Sequence, residues 1–169
     1  MVEICINGSG LGIAGVLAGL LAQRSIAFIE TPDVTKDPQL KSAQAETFVC
    51  SSAYQASLKG ADGLVEVARS LKAKRIIVIN EDQASFSMQS EMGGRTILIN
   101  LPPVSVDPKI SHTVYGLQVI TALLSGPQHV AVGAASSLNM LALAKRVSQS
   151  DVTVFINGPT GTGKEVQAK

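Results

Sequence analysis

Short apolar runs alternate with segments of helical periodicity over the first 124 residues of the chain. Five of the runs have the length and the β-branched character of buried strands. They are VEICI (2–6), IAFI (26–29), TFVC (47–50), RIIVI (75–79) and TILI (96–99). Strands that are apolar along their whole length and are separated by helices are typical of a parallel sheet covered on both faces. The pattern therefore predicts an α/β domain with a parallel five-stranded sheet.

The segments between these runs carry apolar residues at helical spacing. Two stretches repeat at i, i+3, i+4 and i+7: Ile13, Val16, Leu17, Leu20 and Leu21 in the first, and Leu64, Val67, Ala68 and Leu71 in the second. Asp62 is the predicted N-cap of the second helix. Another helix is predicted over residues 111–124, with Val114, Leu117, Ile120 and Leu124 inward, and a weaker pattern places one within residues 39–45. Five strands and about five helices predict a flavodoxin-like domain over residues 1–124.

Beyond residue 124 the composition changes to small residues, and residues 125–137 are predicted to be a linker. Ser136 or Ser137 could then cap a helix that has Met140, Leu143, Ala144 and Val147 on one face. A strand, VTVFI (152–156), follows and leads directly into a glycine-rich loop. A strand, a glycine-rich loop and helix-forming residues in this order are the setting of a phosphate-binding loop.

The glycine-rich loop matches most of the pattern G-x-x-x-x-G-K-[ST]. Its residues are Gly158, Pro159, Thr160, Gly161, Thr162, Gly163, Lys164 and Glu165. In such loops the glycines let backbone N–H groups turn inward on the phosphates, the lysine reaches the β- and γ-phosphates, and the final hydroxyl binds Mg²⁺. Glu165 takes the place of that hydroxyl. The loop is predicted to bind ATP.

The ending GTGKE resembles the Walker A motif of the AAA+ domain in sigma-54-dependent transcriptional activators, where glutamate replaces Ser or Thr. The preceding segment, LNMLALAKRVSQSDVTVFINGPTGTGKE, resembles the opening of the same domain. Pro159 and Thr160 depart from the usual Glu and Ser, within the variable interior of the loop. The resemblance implies that residues 138–169 are the start of a sigma-54 interaction domain that uses ATP and Mg²⁺.

In that family an ATPase hexamer remodels the sigma-54 RNA polymerase holoenzyme, which is thus the implied partner. The Walker B acids, the arginine finger, the sigma-contacting loop and a DNA-binding domain all follow Walker A there. A chain that stops at Lys169 is therefore expected to be a truncated activator that neither hydrolyses ATP alone nor binds DNA directly. Whether it is an enzyme by itself stays open.

Many such activators begin with a receiver domain, which has the flavodoxin-like order predicted above. A receiver needs acids after its first and third strands and Ser/Thr and Lys after its fourth and fifth. The positions available here are Asn7, the run Cys50-Ser51-Ser52, Asn80 and Asn100. The resemblance therefore implies a degenerate receiver with no catalytic residue and no metal site, acting through a regulatory protein or self-association. Glu81 and Asp82 are interpreted as solvated loop charges.

A second motif offers a different function for the N-terminal domain. Gly10, Gly12 and Gly15 form G-x-G-x-x-G after the first strand, and Glu30 ends the second strand. This pattern is typical of dinucleotide sites, in which the acidic residue binds a ribose hydroxyl. The register is poor, because residues 7–9 separate the strand from the first glycine. The alternative prediction is an FAD- or NAD-binding oxidoreductase fragment.

Charge and cysteine usage add limits. The net charge of +1 leaves no electrostatic footprint for nucleic acid or an anionic membrane. No apolar run reaches the roughly 20 residues that span a bilayer, and the N-terminus does not resemble an export signal. Cys5 and Cys50 lie within apolar runs, so we expect buried, reduced thiols and a cytoplasmic protein.

Overall fold

A computed structural model describes residues 2–24, 26–41, 44–58, 60–103 and 111–125, and the isolated positions 143, 147, 155 and 157. The strands are β1 (Val2–Asn7), β2 (Phe28–Thr31), β3 (Ala45–Ser51), β4 (Arg75–Asn80), β5 (Ser87–Glu91) and β6 (Thr96–Asn100). The α-helices are α1 (Ala14–Gln23), α2 (Ser52–Ser57), α3 (Ala61–Ser70) and α4 (Ser111–Ser125). The predicted linker, final helix, last strand and glycine-rich loop fall, apart from the isolated positions, outside these residues.

The described strands form one sheet in the order β2-β1-β3-β4-β6-β5. The five predicted strands are the five parallel ones, and their order is that of flavodoxin-like folds. The prediction of a five-stranded sheet is wrong by one strand, because β5 pairs antiparallel with β6 at the edge. Its sequence, SMQSE, is polar and mostly exposed, so it has no apolar run to reveal it.

The alternation of side chains along the strands builds a core on each face of the sheet. One core packs α1 and α4 against strand residues that include Ile6, Ile77 and Ile99. The other packs α2 and α3 against residues that include Phe48 and Val78. Burying each of these large side chains stabilises the fold by about 1.5–3 kcal/mol. Both faces are therefore covered, as predicted.

Three of the predicted helices, α1, α3 and α4, are confirmed, with local corrections. Leu117, Ile120 and Leu124 are buried on α4 as expected; the side chain of Val114 is not among those described. Val16 is 45% exposed, because its position on α1 lies beside the buried stripe of Ala14, Leu17 and Leu21. The N-cap of α3 is Gly60, and Asp62 lies in the first turn, where its charge favours the helix dipole.

Two connections differ from the expected alternation. Between β2 and β3 there is only a 3₁₀ turn, Pro38–Lys41, in place of the helix expected within residues 39–45. Between β4 and β6 the chain forms strand β5 and the 3₁₀ turn Met92–Gly94, where a flavodoxin-like order would have a helix.

None of the helices in the described part of the chain has both the length and the apolar character needed to cross a bilayer.

Candidate functional site at the carboxyl edge of the sheet

Four parallel strands end in polar side chains at the same edge of the sheet. Asn7 ends β1, Ser51 ends β3, Asn80 ends β4 and Asn100 ends β6. In open α/β sheets, ligands bind outside the carboxyl ends of the strands, near the point where the strand order reverses. Here the order reverses between β1 and β3. This edge is therefore the candidate functional site.

Neutral side chains tie the strand ends β4 and β6 together. The amide of Asn80 donates from Nδ2 to Oδ1 of Asn100 over 3.2 Å, and Ser52 Oγ donates to Asn80 Oδ1 over 3.1 Å. Asn100 Nδ2 in turn donates to Ser87 Oγ of β5 over 2.8 Å. Each of these groups is uncharged at every ordinary pH. The network therefore stabilises the edge without offering a carboxylate to a cation.

The strand ends β1 and β3 hold the neighbouring loops. Ser51 Oγ donates to the carbonyl oxygen of Ser9 over 2.8 Å and accepts the backbone N–H of Tyr54, at 3.0 Å, as the N-cap of α2. Asn7 Oδ1 accepts the backbone N–H of Val34 at 3.0 Å. Both side chains are buried. The structure thus brings the four strand ends to one edge, and each of their side chains makes at least one hydrogen bond within the protein. In the described part of the chain, Asn7 Nδ2 is buried without a partner.

Glu81 lies against the N-terminus of α1. The backbone N–H of Gly12 donates to Glu81 Oε2 over 2.6 Å, and a Cβ added at Gly12 would lie 3.2 Å from Oε1. Ile13, at the N-cap, provides no side-chain bond to α1. Gly12 directly precedes the N-cap, so the carboxylate lies just ahead of the first turn of α1, where the positive end of the helix dipole favours an anion. Glu81 is thus a partly exposed loop carboxylate, and the structure adds a specific backbone partner that its interpretation as a solvated loop charge did not include.

The residues of the alternative dinucleotide motif are only partly brought together. A cleft of about 520 Å³ between α1 and β2 is lined by Gly8, Ser9, Leu11, Ala14, Gly15, Glu30, Thr31 and Pro32. Gly15 and Glu30 thus share a cleft, whereas Gly10 and Gly12 do not line it. A Cβ at Gly15 would have no atom within 4 Å, so this glycine is not at a close approach between helix and sheet.

Gly10 has a structural reason to be glycine. Its φ is 66°, and a Cβ there would lie 3.1 Å from Ser51 Oγ and 3.3 Å from the Cβ of Ala53. Left-handed backbone and close packing both favour a residue without a side chain. The turn between β1 and α1 therefore accounts for this glycine without a ligand.

The two cysteines are free and buried, as predicted. Burial, and next the charge of Asp37, raise the pKa of Cys5 to about 11, and burial raises the pKa of Cys50 to about 12. Since the thiolate is the reactive form, both thiols are inert near neutral pH. In the ranges that the structure describes, no group of three or more His, Cys, Asp or Glu residues could hold a metal ion.

Comparison with known families concerns the other end of the chain. Residues 131–169 match the model of the Sigma-54 interaction domain. This match supports a sigma-54-dependent regulator of transcription that interacts with sigma-54 RNA polymerase, and the matched domain belongs to the AAA+ ATPases, which use ATP and Mg²⁺. The proposed Walker A residues, 158–165, lie within the match and outside the described residues. No curated protein and no solved structure gives a significant match to the chain.

Proposed function

We propose that the chain is part of a sigma-54-dependent transcriptional activator with a degenerate receiver as its regulatory domain. Residues 1–124 form that domain, residues 125–137 are a linker, and residues 138–169 belong to the AAA+ domain. The observation that carries the proposal is the match of residues 131–169 to the Sigma-54 interaction domain. The preceding domain adds support through its flavodoxin-like order of parallel strands.

The carboxyl edge supports a regulatory role without phosphotransfer. Asn7 and Ser51 stand at the strand ends where a receiver has carboxylates, and Asn80 and Asn100 stand where it has Ser/Thr and Lys. Asn7 has an amide, and Ser51 bonds to backbone groups on two sides. An amide is neither a nucleophile for a phosphoryl group nor a strong ligand for Mg²⁺. The domain therefore signals by packing against a partner protein, a second copy or the AAA+ domain.

Acetyl phosphate tests this part of the proposal. We expect intact-mass spectrometry to detect no added phosphoryl group on the chain after incubation with acetyl phosphate and Mg²⁺, under conditions that phosphorylate a receiver with its aspartate intact. An adduct that is lost at high pH, as acyl phosphates are, would show that a carboxylate elsewhere on the domain accepts the group.

The Walker A loop, residues 158–165, is proposed to hold the phosphates of ATP. Lys164 would contact the β- and γ-phosphates, and the backbone N–H groups of Gly161 and Gly163 would turn toward them. Ordering eight backbone positions costs on the order of 10 kcal/mol, since each costs about 1–2 kcal/mol. Micromolar binding is equivalent to only about 8 kcal/mol, so we expect weak binding of MgATP if the nucleotide itself has to order the loop.

Titration of the 169-residue chain with MgATP, followed by ³¹P NMR, tests the loop. We expect affinity no tighter than about millimolar, equivalent to roughly 4 kcal/mol. Lys164→Ala is expected to abolish the effect, whereas the matched control Lys169→Ala leaves it unchanged. Binding that survives Lys164→Ala would place the nucleotide elsewhere, and a micromolar site lost in that variant would mean that the loop is already ordered.

A dinucleotide site is the second candidate, favoured by the cleft that Gly15 and Glu30 share. The carboxylate of Glu81 just ahead of α1 disfavours it, since it would repel a pyrophosphate placed at the N-terminus of that helix. We expect no change in NADH or FAD fluorescence on adding the protein. Stoichiometric binding that is lost in Glu30→Gln and retained in the control Glu46→Gln would instead favour the dinucleotide function.

A further inference from the structure

A basic cleft lies at the opposite, amino edge of the sheet. It has a volume of about 430 Å³ and lies between the end of α3 and the starts of β4 and β6. Its lining residues are Val65, Ala68, Arg69, Lys72, Ala73, Lys74, Ile76, Met92, Arg95 and Thr96. We refer to this set as the basic cleft. Its floor is apolar, because Ala68, Ala73 and Ile76 are buried there, and its rim carries four exposed cations.

The cations of the rim are largely uncompensated. Lys74 forms an ion pair with Glu46 at 2.8 Å, on the exposed surface. Across the ranges that the structure describes, Arg69, Lys72 and Arg95 take part in no salt bridge. The lining of the basic cleft has four cations and no acidic residue, so its surface carries an excess of positive charge. Such an excess beside an apolar floor attracts anionic partners and orients them.

Two residues of the basic cleft have a backbone conformation that usually needs glycine. Lys72 has φ 55° and Met92 has φ 50°, and the third such non-glycine residue in the described ranges is Asp82. Lys72 ends α3 in a Schellman motif, in which Ala73 N–H donates to Ala68 O over 2.8 Å. Each left-handed non-glycine residue costs about 1–2 kcal/mol. Both strained positions thus present a side chain to the basic cleft.

We propose that the basic cleft binds an acidic segment of a partner protein, in which carboxylates flank an apolar side chain. The apolar side chain would lie on the floor beside Met92, which is 59% exposed. The carboxylates would pair with Arg69, Lys72 and Arg95 on the rim. An arginine can bind a carboxylate through two parallel hydrogen bonds, which gives such a contact direction as well as charge.

The charge and the lining of the basic cleft favour an acidic segment over other ligands. The lining has no aromatic ring on which bases of single-stranded nucleic acid could stack. The helix end at the cleft is the C-terminus of α3, so the cleft lacks the N–H groups with which a helix N-terminus favours a compact phosphate. Residues 126–169 have four cations (Lys145, Arg146, Lys164 and Lys169) against two acids (Asp151 and Glu165), so this segment is not complementary either. The assignment uses residues 65–96 alone and does not depend on the proposed function.

Fluorescence anisotropy with a defined probe tests the assignment on the full chain. The probe is a short fluorescein-labelled peptide in which glutamates surround two leucines. We expect saturable binding that weakens by at least about tenfold, equivalent to 1.4 kcal/mol, in the double variant Arg69→Glu/Arg95→Glu. The matched control is Lys36→Glu, a cation in the turn after β2, and we expect a change within about twofold there. Circular dichroism verifies that each variant is folded.

Competing probes decide between the occupants. Replacing the leucines of the peptide by serines, or its glutamates by glutamines, is expected to abolish binding. Met92→Ser is expected to weaken the parent peptide while leaving its salt dependence unchanged. The assignment is overturned if the peptide does not bind, if charge reversal leaves its affinity unchanged, or if an oligothymidylate or tripolyphosphate binds the cleft as tightly. It is also overturned if ultracentrifugation finds a dimer that the double variant dissociates, because the occupant is then a second copy.

Discussion

The two edges of the sheet differ in how their polar groups are used. At the carboxyl edge, Asn80, Asn100 and Ser51 bond to each other's strands and loops, and Glu81 bonds to the N-terminus of α1. At the amino edge, Arg69, Lys72 and Arg95 surround an apolar floor and have no ionic partner in the described ranges. At the carboxyl edge, most of the polar side chains are thus engaged within the protein, although the cleft of Gly15 and Glu30 lies beside β2. At the amino edge, the charged side chains are exposed.

Because of this difference, we expect the carboxyl edge to matter mainly for stability and the amino edge mainly for binding. Side chains with complete internal bonds stabilise a fold, and removing one exposes the cost of its unpaired partners. Exposed cations that repel each other contribute little stability, so removing one changes the free energy of unfolding little. Substitutions at the carboxyl edge are thus expected to unfold the protein more easily, whereas substitutions at the amino edge are expected to change what it binds.

The largest expected effect is at the turn between β1 and α1, at the carboxyl edge. Gly10→Val puts a β-branched side chain at a φ of 66° and a Cβ 3.1 Å from Ser51 Oγ. Strain and overpacking together are expected to lower the free energy of unfolding by about 2–4 kcal/mol in urea titrations. Gly19→Ala in α1, where a Cβ has open space, is the control and is expected to raise it by about 0.5–1 kcal/mol. A neutral Gly10→Val would show that the turn is easily rearranged.

The amide network is expected to be the next most sensitive feature. Asn80→Ala removes the bonds that Asn80 makes with Asn100 Oδ1 and Ser52 Oγ, while the bond from Asn100 Nδ2 to Ser87 is kept. We expect a loss of about 1–2 kcal/mol in the free energy of unfolding. Gln89→Ala, an exposed position on β5, is expected to change it by less than about 0.5 kcal/mol. Equal effects of the two substitutions would show that the amide network adds no more stability than an exposed side chain.

At the amino edge we expect a smaller change in the free energy of unfolding, of the opposite sign. Lys72→Gly relieves a residue at φ 55° and is expected to raise the free energy of unfolding by about 0.5–1 kcal/mol. Lys72→Ala removes the same charge but keeps the strain, so it is expected to be nearly neutral. If both variants stabilise the protein equally, repulsion among the cations rather than backbone strain is the cost at this edge.

The smallest expected effects concern pH. Hydrogen bonds from Lys36 and Thr35 lower the pKa of Asp33, in the turn that follows β2, and a hydrogen bond from Lys74 lowers the pKa of Glu46 at the amino edge. A lowered folded pKa means that the contribution to stability is present above the usual carboxylate range and is lost as pH falls through the folded pKa. We expect Asp33→Asn and Glu46→Gln each to reduce slightly the change in urea midpoint between neutral and acidic pH.

The parallel part of the fold could be predicted because its strands are apolar on both faces. β5 could not, because its polar side chains leave only backbone pairing with β6 to define it. The helix α2, residues Ser52–Ser57, is six residues long and begins at the Ser51 cap, so it has no room for a helical period. Local patterns thus identify elements that bury many side chains and miss short or exposed ones.

The candidate site could be located but not completed from the sequence. The strand ends Asn7, Ser51, Asn80 and Asn100 follow directly from the apolar runs. The bond between Glu81 and Gly12 joins residues 69 positions apart, and no local pattern reports such a contact. The sequence does not reveal the basic cleft, because Arg69 lies in α3, Lys72 and Lys74 precede β4, and Arg95 precedes β6. The net charge of +1 gives no sign of this local excess.

The β5–β6 hairpin also bears on how the chain folds. It is the one neighbouring strand pair of the described sheet that a short turn, Met92–Gly94, closes directly; the parallel pairs need crossovers. Hairpins form in about 1–10 μs, whereas pairing between distant segments waits for larger loops to close. The β5–β6 hairpin, whose strand β5 contributes little to the apolar core, is therefore expected to form first and to provide a template for β4. Pulsed hydrogen exchange would detect this order as early protection in β6 and later protection in β2.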